Sequence, residues 1–330
     1  DPTRVAPPSS NPLALTDRDA GVSVILRDGS VMWFFGDTLE KDPAGDTRYF
    51  TNNTAAWAAA GSPTVTRDGV NGSAPWQFVG SPHSCAGQPG YPNPAIWPES
   101  AVAVPQPDGT DRVLVFMSKV CLGTEFLQIQ PMGMALAEVT YDPADKPVDA
   151  RIQGSVTQPN LFGVTDPYGR GSVLDADDDT IYTYQCGRFR PEDQSDWGPC
   201  NVGRVAFADR TEISEWEFWS GGDWTDPANW SPVEASAAPI VSTIGTDVTP
   251  PVASFTLTYD DAHDAWLMVY SPWPGFTDRV EVRVAESPVG PFTDPVTVFL
   301  PGCGDTSNGV TYRCYAGTAQ PKLSGPGLLG

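Results

Sequence analysis

Hydrophobic and polar residues alternate along this chain in short segments, with turn residues between them. Val22 to Leu26 and Val31 to Phe35 are two such β-rich runs, and the Asp-Gly in the connection Arg27-Asp28-Gly29-Ser30 is a hairpin signal. The chain lacks a long stretch with the apolar period of a helix. The pattern predicts a β-hairpin near the start of the sequence and an all-β protein.

The open end of this hairpin carries two carboxylates, Asp19 and Asp37. If the turn is centred between Asp28 and Gly29, the two aspartates face each other within one residue of register. Opposed side chains lie about 5 Å apart at Cβ, so two acids there repel each other. Capping of backbone amides at a strand end is the structural explanation. The functional explanations are acid and base catalysis, cation binding and hydrogen bonding to a polyol.

A similar hairpin occurs five times, at intervals of roughly 64 to 84 residues. The later copies are 101–104 with 113–118, 171–174 with 181–185, 254–259 with 265–271, and 319–323 followed by a Ser-Gly-Pro-Gly turn. A β-sandwich also contains many short strands, but it does not space such hairpins evenly. We therefore predict a five-bladed β-propeller. We expect residues 1–330 to form a single domain after a short lead of residues 1–12.

The residues before the first strand of each hairpin should meet at one mouth of the propeller, because the innermost strands line its channel. Acids and aromatic side chains at such a mouth are typical of a sugar site. Each candidate also has an ordinary explanation, namely core packing for an aromatic residue and a surface position for Glu99. The predicted substrate-binding residues are Asn53, Trp97, Glu99, Tyr168, Tyr270 and Gln320.

Net charge limits the choice of partners. The formal charge is −22 and the pI is about 4.2, whereas nucleic acids and anionic membranes require a basic face. No segment approaches the roughly 18 apolar residues that span a bilayer. We expect a monomer that binds neither nucleic acid nor membrane.

The six cysteines are even in number. Pairing in sequence order predicts the disulfides Cys85–Cys121, Cys186–Cys200 and Cys303–Cys314, although other pairings are compatible with the sequence. Disulfides predict a secreted protein whose signal peptide has been removed. No cysteine pair has zinc-finger spacing and the chain has two histidines, so no metal site is predicted.

No cofactor is predicted either. The acidic run 175–179 superficially resembles a calcium loop, but it lacks the glycine and the terminal glutamate of the helix-loop-helix type. A solvated hairpin turn is the simpler interpretation. The acid content leaves a structural Ca²⁺ in the channel open.

Several short motifs together resemble those of a known family. They are Asp19 with Gly-Asp-Thr at 36–38, Asn-Asn-Thr at 52–54, Trp-Pro-Glu-Ser at 97–100, and Ser-Pro-Val-Gly-Pro-Phe-Thr-Asp-Pro at 287–295. Over most of its length the chain resembles the secreted five-bladed propellers that include the endo-D-arabinanases, which cut mycobacterial arabinogalactan and lipoarabinomannan. The family's last blade often has a His-Pro where this sequence has Gln320-Pro321, a departure that concerns a subsite contact.

The resemblance implies an enzyme that hydrolyses internal α-D-arabinofuranosyl linkages of a D-arabinan, with Asp19 and Asp37 as the catalytic pair. From the residues alone, Asp37 follows a hydrophobic strand and should keep its proton, whereas Asp19 lies on a polar segment. We assign Asp37 as acid and Asp19 as base, with the reverse order still open, and we favour inversion over retention. The alternatives are an arabinofuranosidase or other pentan hydrolase on this scaffold, or a carbohydrate-binding propeller without turnover.

Overall fold

The computed structural model of the chain describes most of its residues. The described residues are 5, 16–42, 44, 46–71, 74–125, 128–145, 151–186, 199–241, 255–260, 262–272, 279–299, 306–307, 310–311 and 317–320. They fall into two compact units. Unit 1 contains residues 1–160, 320–325 and 329–330, and unit 2 contains residues 161–319 and 326–328.

Among its described residues, unit 1 contains thirteen strands, the last of which continues into unit 2. They are β1 (Thr16–Arg18), β2 (Val22–Ile25), β3 (Val31–Phe35), β4 (Thr38–Lys41), β5 (Thr47–Thr51), β6 (Thr54–Ala58), β7 (Thr66–Asp68), β8 (Val70–Asn71), β9 (Ala74–Pro75), β10 (Asn93–Pro105), β11 (Asp111–Leu122), β12 (Ile129–Tyr141) and β13 (Ser155–Phe162). The sheets are β2-β3-β6-β7, β10-β11-β12-β13, the ribbon β1-β4-β5 and the pair β8-β9.

Unit 2 contains the remaining strands. They are β14 (Gly171–Asp175), β15 (Thr180–Cys186), β16 (Cys200–Ala206), β17 (Glu217–Trp219), β18 (Trp230–Ser231), β19 (Thr256–Asp260), β20 (Ala265–Tyr270), β21 (Arg279–Ala285), β22 (Val296–Phe299), β23 (Thr306–Ser307) and β24 (Val310–Thr311). The sheets are β14-β15-β16-β17-β18, β19-β20-β21-β22 and the pair β23-β24. The part of unit 2 that the structure describes also contains four single-turn 3₁₀ helices, at Phe207–Asp209, Ile213–Glu215, Pro227–Asn229 and Glu234–Ser236.

The first hairpin differs from the prediction by one residue of register. The Leu26 N–H donates to the Ser30 carbonyl oxygen at 2.9 Å, and Gly29 has a φ of 76°. The loop is therefore three residues long, with glycine in the left-handed position that such loops require. Strand β2 then pairs with β3 so that Val22 lies opposite Phe34. Continuing this register places Asp19 directly opposite Asp37.

The fold class is the all-β, five-bladed β-propeller that the sequence predicts. Four predicted hairpins are present as β2–β3, β10–β11, β14–β15 and β19–β20, and each belongs to an antiparallel sheet of four or five strands. Such a sheet has the strand arrangement of one propeller blade. The fifth hairpin, 319–323, lies outside the described residues after Gln320.

Two of the predicted disulfides form, Cys85–Cys121 in unit 1 and Cys186–Cys200 in unit 2. Cys303 and Cys314 lie outside the described residues, so their pairing stays a prediction. Within the described ranges, no helix has the length and apolar character needed to cross a membrane.

Candidate active site

The two aspartates predicted as the catalytic pair meet at the open end of the first hairpin. Asp19 lies between β1 and β2, and Asp37 lies between β3 and β4. The Asp19 N–H donates to the Asp37 carbonyl oxygen at 2.8 Å, and the Gly36 N–H donates to the Asp19 carbonyl oxygen at 2.8 Å. Both residues are partly exposed. The backbone therefore holds the two acids side by side at a position that solvent reaches.

The local sequence explains this close approach. Ala20, which follows Asp19, has a φ of 46°, an uncommon backbone conformation for a residue with a side chain. A Cβ at Gly36 would lie 3.3 Å from the Asp19 carbonyl oxygen and 3.7 Å from Trp97 Cδ1. Glycine before Asp37 therefore lets the first strand and Trp97 approach the backbone closely. The first hairpin changes sheets here, from β2-β3 to β1-β4.

Asp37 has a shifted protonation equilibrium. Burial raises the pKa of its carboxyl from the ordinary value of 3.8 to about 6. Trp97 Nε1 donates a 2.7 Å hydrogen bond to Asp37 Oδ1, which stabilises the ionised form and opposes the rise, whereas the negative charge of Asp19 adds to it. A carboxyl group with this pKa can give up and take back a proton near neutral pH.

Trp97 thus has a contact that the sequence did not reveal. The prediction was a sugar-binding surface, but its indole N–H is directed at Asp37. The side chain is partly exposed, so substrate contact stays a prediction. Glu99 lies two residues further along β10, at a β-bulge between Pro98 and Ser100. It is also partly exposed, and its substrate role stays a prediction.

Asn53 is fully buried, in contrast to its predicted contact with substrate. Its Nδ2 donates to the carbonyl oxygens of Val79 at 3.0 Å and Ile96 at 3.1 Å, and its Oδ1 accepts from the Val79 N–H at 2.8 Å. Because these backbone groups occupy the amide, Asn53 is a structural residue here. It connects β6 to the strand that carries Trp97.

Tyr168 and Tyr270 are also fully buried, so the structure does not present either ring to a sugar. The Tyr168 ring packs against Phe162 and Phe218 at centroid distances of 5.3 and 5.0 Å. Tyr270 donates to Glu281 Oε2 at 2.7 Å and accepts from Arg283 Nε at 2.8 Å. The two tyrosines are core residues of unit 2, which is the usual role of aromatic residues in an all-β protein.

Gln320 lies beside the strand that follows Asp19. Its Oε1 accepts a 2.6 Å hydrogen bond from Ser23 Oγ, and its Nε2 donates to the Gly21 carbonyl oxygen at 3.1 Å. The side chain is partly exposed. Its observed contacts position the start of β2, while the predicted contact with substrate stays a prediction.

Polar contacts fix the buried side of the acid pair. Arg18 forms an ion pair with Asp68, and its guanidinium lies 4.3 Å from the centre of the Phe35 ring. Thr38 and Thr54 hydroxyls are hydrogen-bonded at 2.9 Å and are buried. These contacts join the residues next to Asp19 and Asp37 to the rest of unit 1.

One group among the described residues has metal-ligand atoms close together, namely His83, Cys85 and Cys121, within 4.8 Å of one another. Metals bind thiolates, and these two cysteines form a disulfide. In this oxidised state His83 is the one ordinary ligand of the group. Its Nε2 is already 2.9 Å from the Val120 carbonyl oxygen.

Comparison with solved structures supports the fold. A protein from Bacteroides ovatus ATCC 8483, provisionally described as a hydrolase, aligns with a TM-score of 0.64 at 19% identity over 94% of this chain and 77% of that chain. A family 117 glycoside hydrolase produced by the marine bacterium Zobellia galactanivorans aligns with a TM-score of 0.45 at 10% identity, over 91% and 75%. The GH43_1 enzyme from Xanthomonas citri in complex with xylose also gives 0.45, at 16% identity over 92% and 80%.

The Bacteroides ovatus protein, at 19% identity, shows a similarity of fold alone. A family model described as "Domain of unknown function (DUF5005)" matches residues 13–329. The chain therefore belongs to this family. No curated protein matches it.

Proposed function

We propose that the protein is a secreted glycoside hydrolase, and specifically an endo-D-arabinanase that cleaves internal α-D-arabinofuranosyl linkages of arabinogalactan and lipoarabinomannan. The observation that carries this proposal is the pairing of Asp37, whose carboxyl has a pKa of about 6, with Asp19 on the opposed segment between β1 and β2. Glycosidic cleavage needs a carboxylic acid and a carboxylate. The substrate class comes from the family resemblance of the motifs around these residues.

In the proposed mechanism Asp37 is the general acid. It donates its proton to the glycosidic oxygen as the bond from that oxygen to the anomeric carbon breaks. Asp19 is the general base, and it removes a proton from the water whose oxygen forms the new bond to the anomeric carbon. The reaction inverts the configuration in this scheme. The pair ends with Asp37 ionised and Asp19 protonated, and exchange with solvent restores the starting state.

Trp97 positions the acid in this scheme. Its 2.7 Å hydrogen bond fixes one oxygen of Asp37 and stabilises the carboxylate that remains after proton transfer. Glu99, two residues along the same strand, is proposed to contact the substrate.

The two disulfides support secretion, because such bonds persist in oxidising compartments.

The decisive experiment is incubation of the protein with arabinogalactan, lipoarabinomannan and a plant L-arabinan, followed by chromatographic separation of the products. We expect a ladder of oligosaccharides from the first two substrates and none from the third. Release of single sugars would instead identify an arabinofuranosidase. Binding without any release would identify a carbohydrate-binding protein.

NMR spectroscopy of the products immediately after cleavage tests the stereochemistry. Inversion predicts that the first product signal belongs to the β-anomer. An initial α-anomer would show retention and would make one aspartate a nucleophile.

A further inference from the structure

The ribbon β1-β4-β5 extends from the acid pair, and its two faces differ. Strand β1 pairs with β4 so that Asp17 lies opposite Leu39 and Arg18 opposite Thr38. Strand β5 pairs with β4 so that Phe50 also lies opposite Leu39. Because side chains alternate between the faces of a strand, Asp17, Leu39 and Phe50 share one face.

The other face of the ribbon is covered. Thr16, Arg18, Thr38 and Glu40 lie on it, and Arg18 is paired with Asp68 of β7. Thr16, Thr38 and Glu40 are buried. Tyr49 lies opposite Glu40 and therefore belongs to this face, at its outer edge.

The first face, which we call the outer face, is open to solvent. Phe50 is 53% exposed, and Leu39 is partly exposed. Asp17 and Lys41 form an exposed ion pair beside them. Single exposed apolar side chains are common on protein surfaces, whereas Phe50 and Leu39 lie together on one face.

The outer face is continuous with the acid pair. Asp37 precedes Leu39 by two residues and Asp19 follows Asp17 by two residues, so strand alternation brings both acids to this face. Thr38, between Asp37 and Leu39, is fully buried and confirms the alternation. A polymer bound across Asp19 and Asp37 and extending along β4 would therefore lie on Leu39 and Phe50.

We propose that the outer face of the ribbon is a binding site for the glycan chain next to the scissile linkage, with Phe50 as the aromatic surface on which a sugar ring stacks. This inference rests on the proposed function. A neutral polyol fits the chemistry of the face, because its C–H groups pack on Phe50 and Leu39 while its hydroxyls reach the carboxylate and ammonium of the Asp17–Lys41 pair. The ribbon thus favours long chains over short ones.

The test measures binding separately from turnover. Phe50→Ala is placed in an Asp37→Asn background, and calorimetry gives the Kd for a long D-arabinan oligosaccharide and for a disaccharide. We expect Phe50→Ala to weaken binding of the long chain about 10-fold, which is about 1.4 kcal/mol, and to leave the disaccharide unchanged. Phe50→Trp keeps an aromatic face and should restore the affinity.

Tyr49→Ala is the matched control, because Tyr49 is the adjacent aromatic residue, is 40% exposed and lies on the opposite face. It should bind the long chain as the parent does. Both substitutions are at exposed positions and should leave the stability close to that of the parent.

The outcomes separate this inference from the proposed function. Equal affinity of Phe50→Ala and its parent for the long chain, or equal losses in Phe50→Ala and Tyr49→Ala, would overturn the inference even if the enzyme cleaves arabinan. Binding that depends on Phe50, together with a wild-type protein that releases no product, would support the outer face as a glycan-binding site but overturn the hydrolase proposal and, with it, the placement of this face next to a scissile linkage. A parent that neither binds nor cleaves D-arabinan would overturn both.

Discussion

Both ends of the first hairpin carry aspartates, and the surroundings of Asp28 at the turn differ from those of Asp37 at the open end. At the turn, Asp28 accepts hydrogen bonds from the Ser30 N–H at 3.0 Å, the Ser30 hydroxyl at 2.5 Å and the Tyr141 hydroxyl at 2.9 Å. At the open end, within the part of the chain that the structure describes, Asp37 accepts one side-chain hydrogen bond, from Trp97. The Asp28 carboxylate is therefore occupied by structural hydrogen bonds. The Asp37 carboxyl is buried enough to hold a proton, and it has oxygen lone pairs that can still interact with a substrate.

The largest expected difference between substitutions at Asp37 and at Asp28 is in catalytic activity. We expect Asp37→Asn to lower kcat/KM on D-arabinan about 10²-fold or more, because an amide cannot act as a general acid. Asp28→Asn should retain the rate of the folded protein. The measurement is the initial rate of oligosaccharide release at pH 5, and similar losses in both variants would remove the catalytic distinction between the two ends.

Loss of the carboxylate should lower the free energy of unfolding at Asp28 and not at Asp37. In Asp28→Ala, the hydroxyls of Ser30 and Tyr141 lose their acceptor, and we expect the free energy of unfolding to fall by about 1–3 kcal/mol. Urea denaturation followed by tryptophan fluorescence measures this change. Asp28→Asn keeps part of the network and should lose less. A stability unchanged in Asp28→Ala would contradict a structural role for this carboxylate.

The pH dependence of stability isolates the ionisation of Asp37. Its pKa is raised from 3.8 to about 6 in the folded state, so the folded protein binds its proton more tightly, and this contribution to stability is lost as pH rises through 6. The shift corresponds to at most about 3 kcal/mol, which partial exposure reduces to about 1–2 kcal/mol.

Asp37→Asn, which stays neutral, should therefore be more stable than the wild type at pH 8, and the difference should shrink at pH 4.5. Thermal denaturation at the two pH values measures it. A difference that does not depend on pH would mean that the carboxyl titrates alike in the folded and unfolded states.

Trp97→Phe has the smallest expected effect, and it tests whether the indole N–H lowers the pKa of Asp37. Without the indole N–H, the carboxylate loses a donor, so the pKa of Asp37 should rise and the alkaline limb of the pH–rate profile should move to higher pH. Wild-type kcat/KM should fall above about pH 6. If Trp97 serves only as a sugar-binding surface, KM will increase and the limb will not move.

The sequence predicts the hairpins because their signals are local. Asp-rich turns, two of them Asp-Gly, and two-residue alternation predicted four hairpins that the structure contains as paired strands, and the first hairpin predicted that Asp19 lies near Asp37. The predicted register of β2 and β3 was wrong by one residue because the loop at Asp28 has three residues. The length of this loop depends on the backbone conformation of Gly29.

The remaining site residues depend on contacts between distant segments. Asn53 is buried against Val79 and Ile96, which no local pattern indicates. The direction of the Trp97 indole depends on packing against Gly36, and Phe50 shares a face with Leu39 because the two residues are paired across β4 and β5. The alternation of residues predicts which side chains share a face of a strand, but not whether another segment covers that face. It therefore could not distinguish buried Tyr168 from exposed Phe50.

The hydrogen bonds of Gln320 to Ser23 and Gly21 have a consequence for the order of folding. Gln320 and Ser23 are 297 positions apart in the chain, and both belong to unit 1. During synthesis, the strand that follows Asp19 leaves the ribosome long before its partner does. Closing such a long loop is entropically costly and slow, so this contact should form late. The segment that carries the proposed base thus acquires its final support only when synthesis has passed Gln320, so the site cannot be fully assembled before then.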